Sequence, residues 1–495
     1  MAILLLIPIF FPIAMGLAML PLNLEDRGKR QIYVTSVVII NMVLSIIFMF
    51  TIPKQTFTLI RFSETASITF RVDGLSTVFG MIVSILWVVA TFYSFEYMKH
   101  EGKEKKFFAF FTMSFGVVLG IAFSNNLITM YLFYELLTVA TTPLVMHAMD
   151  QKASAAGKRY IRYSIGGASF GFIAIMLLMN YGSTLDFTYG GVLMNSPFLP
   201  FAASDKHILL VGYLLAFFGF GVKAAIFPFF RWLPSAGVAP TPVSALLHAV
   251  AVVNAGIFAI SRVTYFSFGA DFLRGSWAQY VTMIAATVTI VFGSSMALRE
   301  KHIKRRLAYS TVSNLSYMLF SITTMSAEGL TGGLIHMTFH SVLKITLFFV
   351  AGAIIYKTGR EYVDEIEGCG KAMPITMACF TICSMGLIGI PPLMGITSKW
   401  MISKAAVDSG LPLSWAGIAA LIVSALLTTL YLFDIIIKAY FPKKDLNVAE
   451  LNKGVKDPNG YMTIPMIGLT AFSIVFGIWP APLLKVFTLV ANGLF

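Results

Sequence analysis

A short set of ionisable side chains lies inside otherwise apolar stretches: Glu135, Lys223, His248, His336, His340, Lys344, Lys399 and Asp434. A charge at membrane depth costs roughly 2.5 kcal/mol or more, so such residues are rare and usually mark an ion or proton path. A carboxylate and an amine make a proton switch. Paired, the amine keeps its proton; separated, desolvation favours its neutral form and the proton leaves. Glu135, in NNLITMYLFYELLTVATTPL, supplies the carboxylate and Lys223 the amine. The plainer reading of Glu135 is a carboxylate paired once with a lysine for structure.

The run GGLIHMTFHSVLKITLFF sets His336, His340 and Lys344 at i, i+4 and i+8. On a helix that spacing lines them along one face over about 12 Å. Histidine changes charge near neutral pH, so a hydrated row of this kind passes protons. The alternative of separately hydrogen-bonded core histidines stays open. Two histidines four apart also suit a metal, but no carboxylate or thiol stands near them in sequence and a lysine continues the row, so no metal is assigned. Asp434 and Lys438 are four apart and read as a structural pair.

These groups need membrane helices to hold them. The 495-residue chain is 57% apolar and 12% charged, about half the charged fraction of a soluble protein, and its mean hydropathy is +0.81. An all-α polytopic membrane protein is expected, with about 14 transmembrane helices at 2–22, 32–52, 74–98, 107–124, 126–148, 163–182, 207–230, 242–265, 277–298, 307–325, 330–356, 374–402, 412–440 and 461–492. The first run has neither a basic start nor a small-residue cleavage site and is expected to be a retained span. The seventh is expected to break near Pro228, just after Lys223, and the twelfth at Pro391 and Pro392, just before Lys399. Broken helices persist in lipid only against protein or a wet cavity. Two such spans, each with a lysine and five spans apart, fit the paired repeats of transporters. GGASFG at 166–171 lies inside a span and reads as a helix-packing stretch, not a phosphate loop.

The net charge of +13 does not mark a nucleic-acid binder. Of the 36 basic residues, 25 fall in connections after odd-numbered spans and seven in even connections or at the C-terminal end. That asymmetry puts the odd loops in the cytoplasm and both termini outside. The segment 56–72 alternates well enough for a short hairpin on the outer face. Cys369, Cys379 and Cys383 are too few for an iron–sulfur cluster.

The run KAAIFPFFRWLPSAGVAPTPVSALLHA, with FYELLT, HSVLK, RRLAYSTVSNLSYM and GIPPLMGITSK, resembles the antiporter-like membrane subunits. These occur in respiratory complex I, in multisubunit Mrp-type Na+/H+ antiporters and in membrane-bound hydrogenases of the same superfamily. The resemblance implies fourteen helices with two inverted five-helix repeats, here spans 4–8 and 9–13. The expected divisions are 1–106 for the first three helices, 107–265 and 277–440 for the repeats, and 441–495 for a loop and the last helix. It also implies that Glu135 and Lys223 correspond to the fifth-helix glutamate and seventh-helix lysine, His248 to the eighth-helix histidine, Lys344 to the central lysine, and Lys399 to the twelfth-helix lysine. The chain departs from the pattern at Asn254, where some relatives have a lysine, and at Phe230-Arg231, where many have a histidine. The route onward from Lys223 is therefore expected to run through His248.

The expected function is proton or sodium translocation as one subunit of a prokaryotic membrane complex, beside paralogous antiporter-like subunits. It would be coupled to redox chemistry on partners or to Na+/H+ antiport. A stand-alone transporter for a small solute and a non-conducting scaffold are the alternatives. The sequence carries no cofactor motif or catalytic nucleophile, so any oxidoreductase chemistry is expected on the partners.

Overall fold

The computed structural model describes residues 2–52, 55–63, 65–443 and 446–493. Lys54 and Lys444, both used in the loop-charge comparison, lie outside the described residues. The helices run as α1 (Ile7–Met19), preceded by a 3-10 turn, α2 (Arg27–Thr51), α3 (Gly74–Glu101), α4 (Glu104–Ala122), α5 (Leu127–Val145), α6 (Gln151–Tyr181) and α7 (Ala203–Gly221). They continue as α8 (Thr241–Ala249), α9 (Val252–Arg262), α10 (Trp277–Arg299), α11 (Ile303–Ile322) and α12 (Ala327–Thr358). The last are α13 (Pro374–Ile388), α14 (Met394–Asp408), α15 (Pro412–Tyr440), α16 (Gly460–Ile478) and α17 (Ala481–Ala491). Strands β1 (Phe57–Arg61) and β2 (Ser67–Phe70) pair antiparallel as the expected hairpin.

The chain is an all-α multi-pass membrane protein. Twelve helices are long and apolar enough to cross a membrane among the described residues, against the fourteen expected from sequence. The fourteenth, expected over 461–492, ends at Ile478 and is followed by the separate short helix α17, and the two expected spans that drop out of the number have physical causes. The tenth expected span forms α11, which opens on the charged stretch Ile303-Lys-Arg-Arg306. The twelfth is divided into α13 and α14, of 15 residues each.

Short polar side chains fix where helices begin. Asp73, Asn126, Asp150 and Ser326 each accept a backbone N–H from the first turn of the helix that follows. The bundle is layered by burial. The most apolar part of Thr241–Phe268 is wholly buried and that of Ala327–Thr358 is 94% buried, whereas Ala2–Met19 and Gly460–Ile478 are 33% buried. The segment 241–268 and α12 therefore form the centre, and the histidine row rides on the central helix.

Three interruptions matter for the site. α7 ends at Gly221, so the seventh span opens ahead of Lys223 rather than at Pro228. A run of turns then leads to a four-residue helix, Trp232–Ser235. The second interruption, at Val250 and Ala251, divides α8 from α9 with no proline to signal it. Asn254 donates to the Ala249 carbonyl at 2.9 Å across that gap. The third is the expected break between Ile388 and Met394, where Gly389 takes φ +97°.

Candidate functional site

Lys223 lies on the interrupted stretch after α7 and is 1% exposed. Its Nζ is 3.9 Å from Glu135 Oε1 and lies 3.6 Å from the centroid of the Tyr134 ring. It also donates to the Tyr134 carbonyl. At 3.9 Å the ion pair is loose, and the ring face and carbonyl hold the ammonium as much as the carboxylate does. Glu135 Oε1 has no hydrogen-bond partner among the described residues. Gly256 on α9 allows the stretch to pack here, because a Cβ there would stand 2.6 Å from Ala224 N and 3.0 Å from Lys223 C.

The stretch itself links Lys223 to the next group. Trp232 Nε1 donates to Val222 O at 2.7 Å, and the neighbouring Leu233 carbonyl is 3.1 Å from His248 Nε2. His248 Nδ1 is 2.7 Å from Ser244 O. Both ring nitrogens thus face carbonyl oxygens, a setting that a doubly protonated ring fills and a neutral ring fills at one nitrogen. The ring packs 4.9 Å from that of Phe348, one turn beyond Lys344 on α12.

On α12, Lys344 is fully buried and donates to Leu307 O at 3.1 Å. His340 is also fully buried, and neither of its ring nitrogens has a partner among the described residues. The His336 ring lies 6.2 Å from that of His340, and its Nδ1 is 2.9 Å from Ser398 Oγ, one residue before Lys399. Asn254 reaches the same helix through Ser341 Oγ at 2.8 Å.

Lys399 is half-buried, and its Nζ donates to Ile388 O at 2.7 Å, the last residue of α13. Its ammonium therefore caps the negative end of the first half of the broken helix. Gly395 makes this fold-back possible, since a Cβ there would stand 1.8 Å from Gly386 O. Tyr317 joins the two branches: its ring stacks on His336 at 5.3 Å and lies 5.4 Å from Lys399 Nζ.

The structure places the sequence-selected residues from Glu135 to Lys399 on α5, the stretch after α7, α8, α12 and α14, with Pro228, Pro391 and Pro392 in the interrupted stretches. It brings no group of three metal-ligating side chains together among the described residues. Asp434 pairs with Lys438 at 2.9 Å and also with Arg306 at 2.8 Å, near the end of α15.

Sequence reasoning missed several buried polar groups. Lys304, placed in a loop by its neighbours, is 6% exposed and donates to Ala239 O at 3.0 Å. Ser294, Ser313 and Ser424 form a hydroxyl cluster, with Ser294 2.8 Å from Ser313 and Ser313 3.0 Å from Ser424. Tyr317 donates into it at 2.7 Å. Single hydroxyls in apolar helices carry no spacing signal, so only the fold shows this cluster.

The transmembrane family described as NADH:quinone oxidoreductase/Mrp antiporter matches residues 124–428. That described as NADH-Ubiquinone oxidoreductase (complex I), chain 5 N-terminus, matches residues 62–108. The NADH-quinone oxidoreductase subunit N of Desulforudis audaxviator is 30% identical over 372 residues, covering 74% of this chain and 72% of that one. A Na(+)/H(+) antiporter subunit of Alkalihalophilus pseudofirmus is 29% identical over 442 residues, covering 83% of this chain and 52% of that one. The chain therefore spans about half the length of the Na(+)/H(+) antiporter subunits it matches. In fold it is similar to a chain of an archaeal membrane-bound sulfane sulfur reductase, with TM-score 0.83, 22% identity, and 100% and 96% of the two chains covered. It is also similar to a chain of respiratory complex I from Thermus thermophilus, with TM-score 0.81, 18% identity, and 99% and 100% covered. With more than half its length inside the first match, this chain belongs to the NADH:quinone oxidoreductase/Mrp antiporter transmembrane family.

Proposed function

We propose that this chain moves protons or sodium ions across the membrane as one subunit of a multisubunit complex, coupled to redox chemistry on partner subunits or to Na+/H+ antiport. The observation that carries the reading is the loose Glu135–Lys223 pair, set on an interrupted helix at the head of a buried row. A pair at 3.9 Å whose carboxylate oxygen lacks another partner can open or close with little rearrangement. Opening it releases the Lys223 proton towards His248. The unpartnered nitrogens of His336 and His340 are places for water to complete the relay to Lys399.

The side chain of Glu135 is 26% exposed, on the same helix face as Leu132 and Val139, which are 47% and 67% exposed. A carboxylate at that depth is poorly matched to hydrocarbon. A neighbouring membrane subunit, paralogous to this chain, covers that face and completes the pair's surroundings. Two five-helix units, 107–265 and 277–440, each bring one proline-containing broken span that carries a lysine, Lys223 in the first and Lys399 in the second, flanked by 1–106 and 441–495. Both termini lie on the outer side of a prokaryotic cell membrane.

The test is to purify the chain with its native partners, reconstitute the assembly and the isolated chain separately into vesicles, and follow ion movement. Ion movement by the assembly alone is expected. Uptake of a small solute by the isolated chain would contradict the reading.

A further inference from the structure

On the basic-rich side of the bundle, a cavity of about 630 Å³ opens between the start of α6, the stretch after α7 and the facing ends of α10 and α11. Lys152, Arg159, Arg231 and Arg305 line it, and no carboxylate does. They come from the connections after the fifth, seventh and ninth expected spans, all on one face of the membrane. Arg305 pairs with Glu300 at 3.0 Å, and Arg159 donates to Ser235 Oγ at 2.5 Å. Among the described residues, Lys152 and Arg231 have no acidic partner within ion-pair distance. The concentration of positive charge is therefore not neutralised by the chain itself.

A second cavity, of about 720 Å³, meets the first at Arg159, which lines both. It follows α6 past Arg162 and Tyr163 to Gly166 and Phe170, and its far wall is Val222 and Pro228. Its character changes along its length, from two guanidinium groups at one end to glycine and aromatic carbon at the other. A Cβ on Gly166 would meet nothing within 4 Å, so this glycine leaves open space in the groove. By contrast, Gly167 packs against Gly219 and Val222.

We infer that this composite groove binds an anionic phospholipid, with its phosphodiester among Arg159, Arg231 and Lys152 and an acyl chain beside Gly166 and Phe170. Basic pockets between membrane helices select anionic headgroups. An apolar channel leading from such a pocket towards membrane depth suits a lipid tail and does not suit a free anion or an acidic protein loop. The tail lies against Val222 and Pro228, on either side of the stretch that holds Lys223. An occupied groove therefore braces that stretch from outside. The binding site does not depend on the ion-translocation reading.

The probe is a photoactivatable phosphatidylglycerol added to the delipidated, intact complex in phosphatidylcholine nanodiscs, with the crosslinks mapped by mass spectrometry. Crosslinks are expected on residues 151–181, and labelling with photoactivatable phosphatidylcholine is expected to be weak. The double variant Arg159→Gln/Arg231→Gln should bind phosphatidylglycerol roughly tenfold more weakly. Gly166→Leu fills the groove and keeps every charge; it should also cut crosslinking, and it covers the case in which the double variant fails to assemble. Equal labelling by the two lipids, or labelling unchanged in Gly166→Leu, would overturn the inference. Full competition by inorganic phosphate would overturn it in favour of a free-anion pocket. Crosslinking of an acidic protein to Arg231, with no lipid selectivity, would overturn it in favour of a protein partner.

Discussion

At the scale of single residues, two charge pairs do different work. Asp73 and Arg262 form a bidentate pair at 2.6 and 2.7 Å, and Arg262 is 1% exposed among the rings of Phe187, Phe258 and Phe266. Burial pushes the Asp73 carboxyl up, but Arg262, the Ser76 N–H and Arg71 together bring it down from 3.8 to about 2. Its folded value is thus below its unfolded one. The contribution is present above about pH 4 and is lost as pH falls from 3.8 towards 2. Asp73→Asn leaves a buried guanidinium uncompensated and should lower unfolding stability by about 3 kcal/mol at neutral pH, read by thermal or denaturant unfolding in detergent. A change near zero would show that Arg262 finds another partner. The Glu135–Lys223 pair is longer, and one of its carboxylate oxygens is unpartnered, which suits it to opening rather than to holding helices together. The ionisable members were legible because charge in an apolar run is conspicuous. Lys304 was not, because its basic neighbours mark a loop while the fold buries it.

At the scale of elements, prolines located one interruption directly and another only approximately. Pro391-Pro392 lies inside the gap between α13 and α14, whereas the opening after α7 begins six residues before Pro228. The interruption at Val250–Ala251 has no sequence marker; Asn254 meets the Ala249 carbonyl there, and that contact exists only in the fold. Gly256 is the element-scale control on the site. Gly256→Val pushes on Ala224 N and the Lys223 backbone, and so should reduce ion translocation several-fold while the complex still assembles. Gly468→Ala, where a Cβ meets nothing within 4 Å, should leave transport at the wild-type level and serves as the comparison. Equal behaviour of the two variants would show that the close approach of α9 to the Lys223 stretch is unimportant.

For the whole molecule, the proposed orientation rests on the loop-charge asymmetry, while the number of spans depended on local composition at α11 and on the break at α13–α14. Membrane sidedness is open to a direct check because all three cysteines are buried. Ser63→Cys on the β1–β2 turn should react with an impermeant maleimide in right-side-out vesicles. Lys158→Cys on α6 should react only after permeabilisation, and the opposite pattern would invert the orientation. The central claim is that one buried row, headed by the Glu135–Lys223 pair, carries the ion. It is tested most directly by reconstituting the assembled complex with Lys223→Ala and measuring ion translocation together with subunit content. The account predicts a fall of about an order of magnitude or more with all subunits retained. Wild-type translocation in a fully assembled Lys223→Ala complex would contradict it.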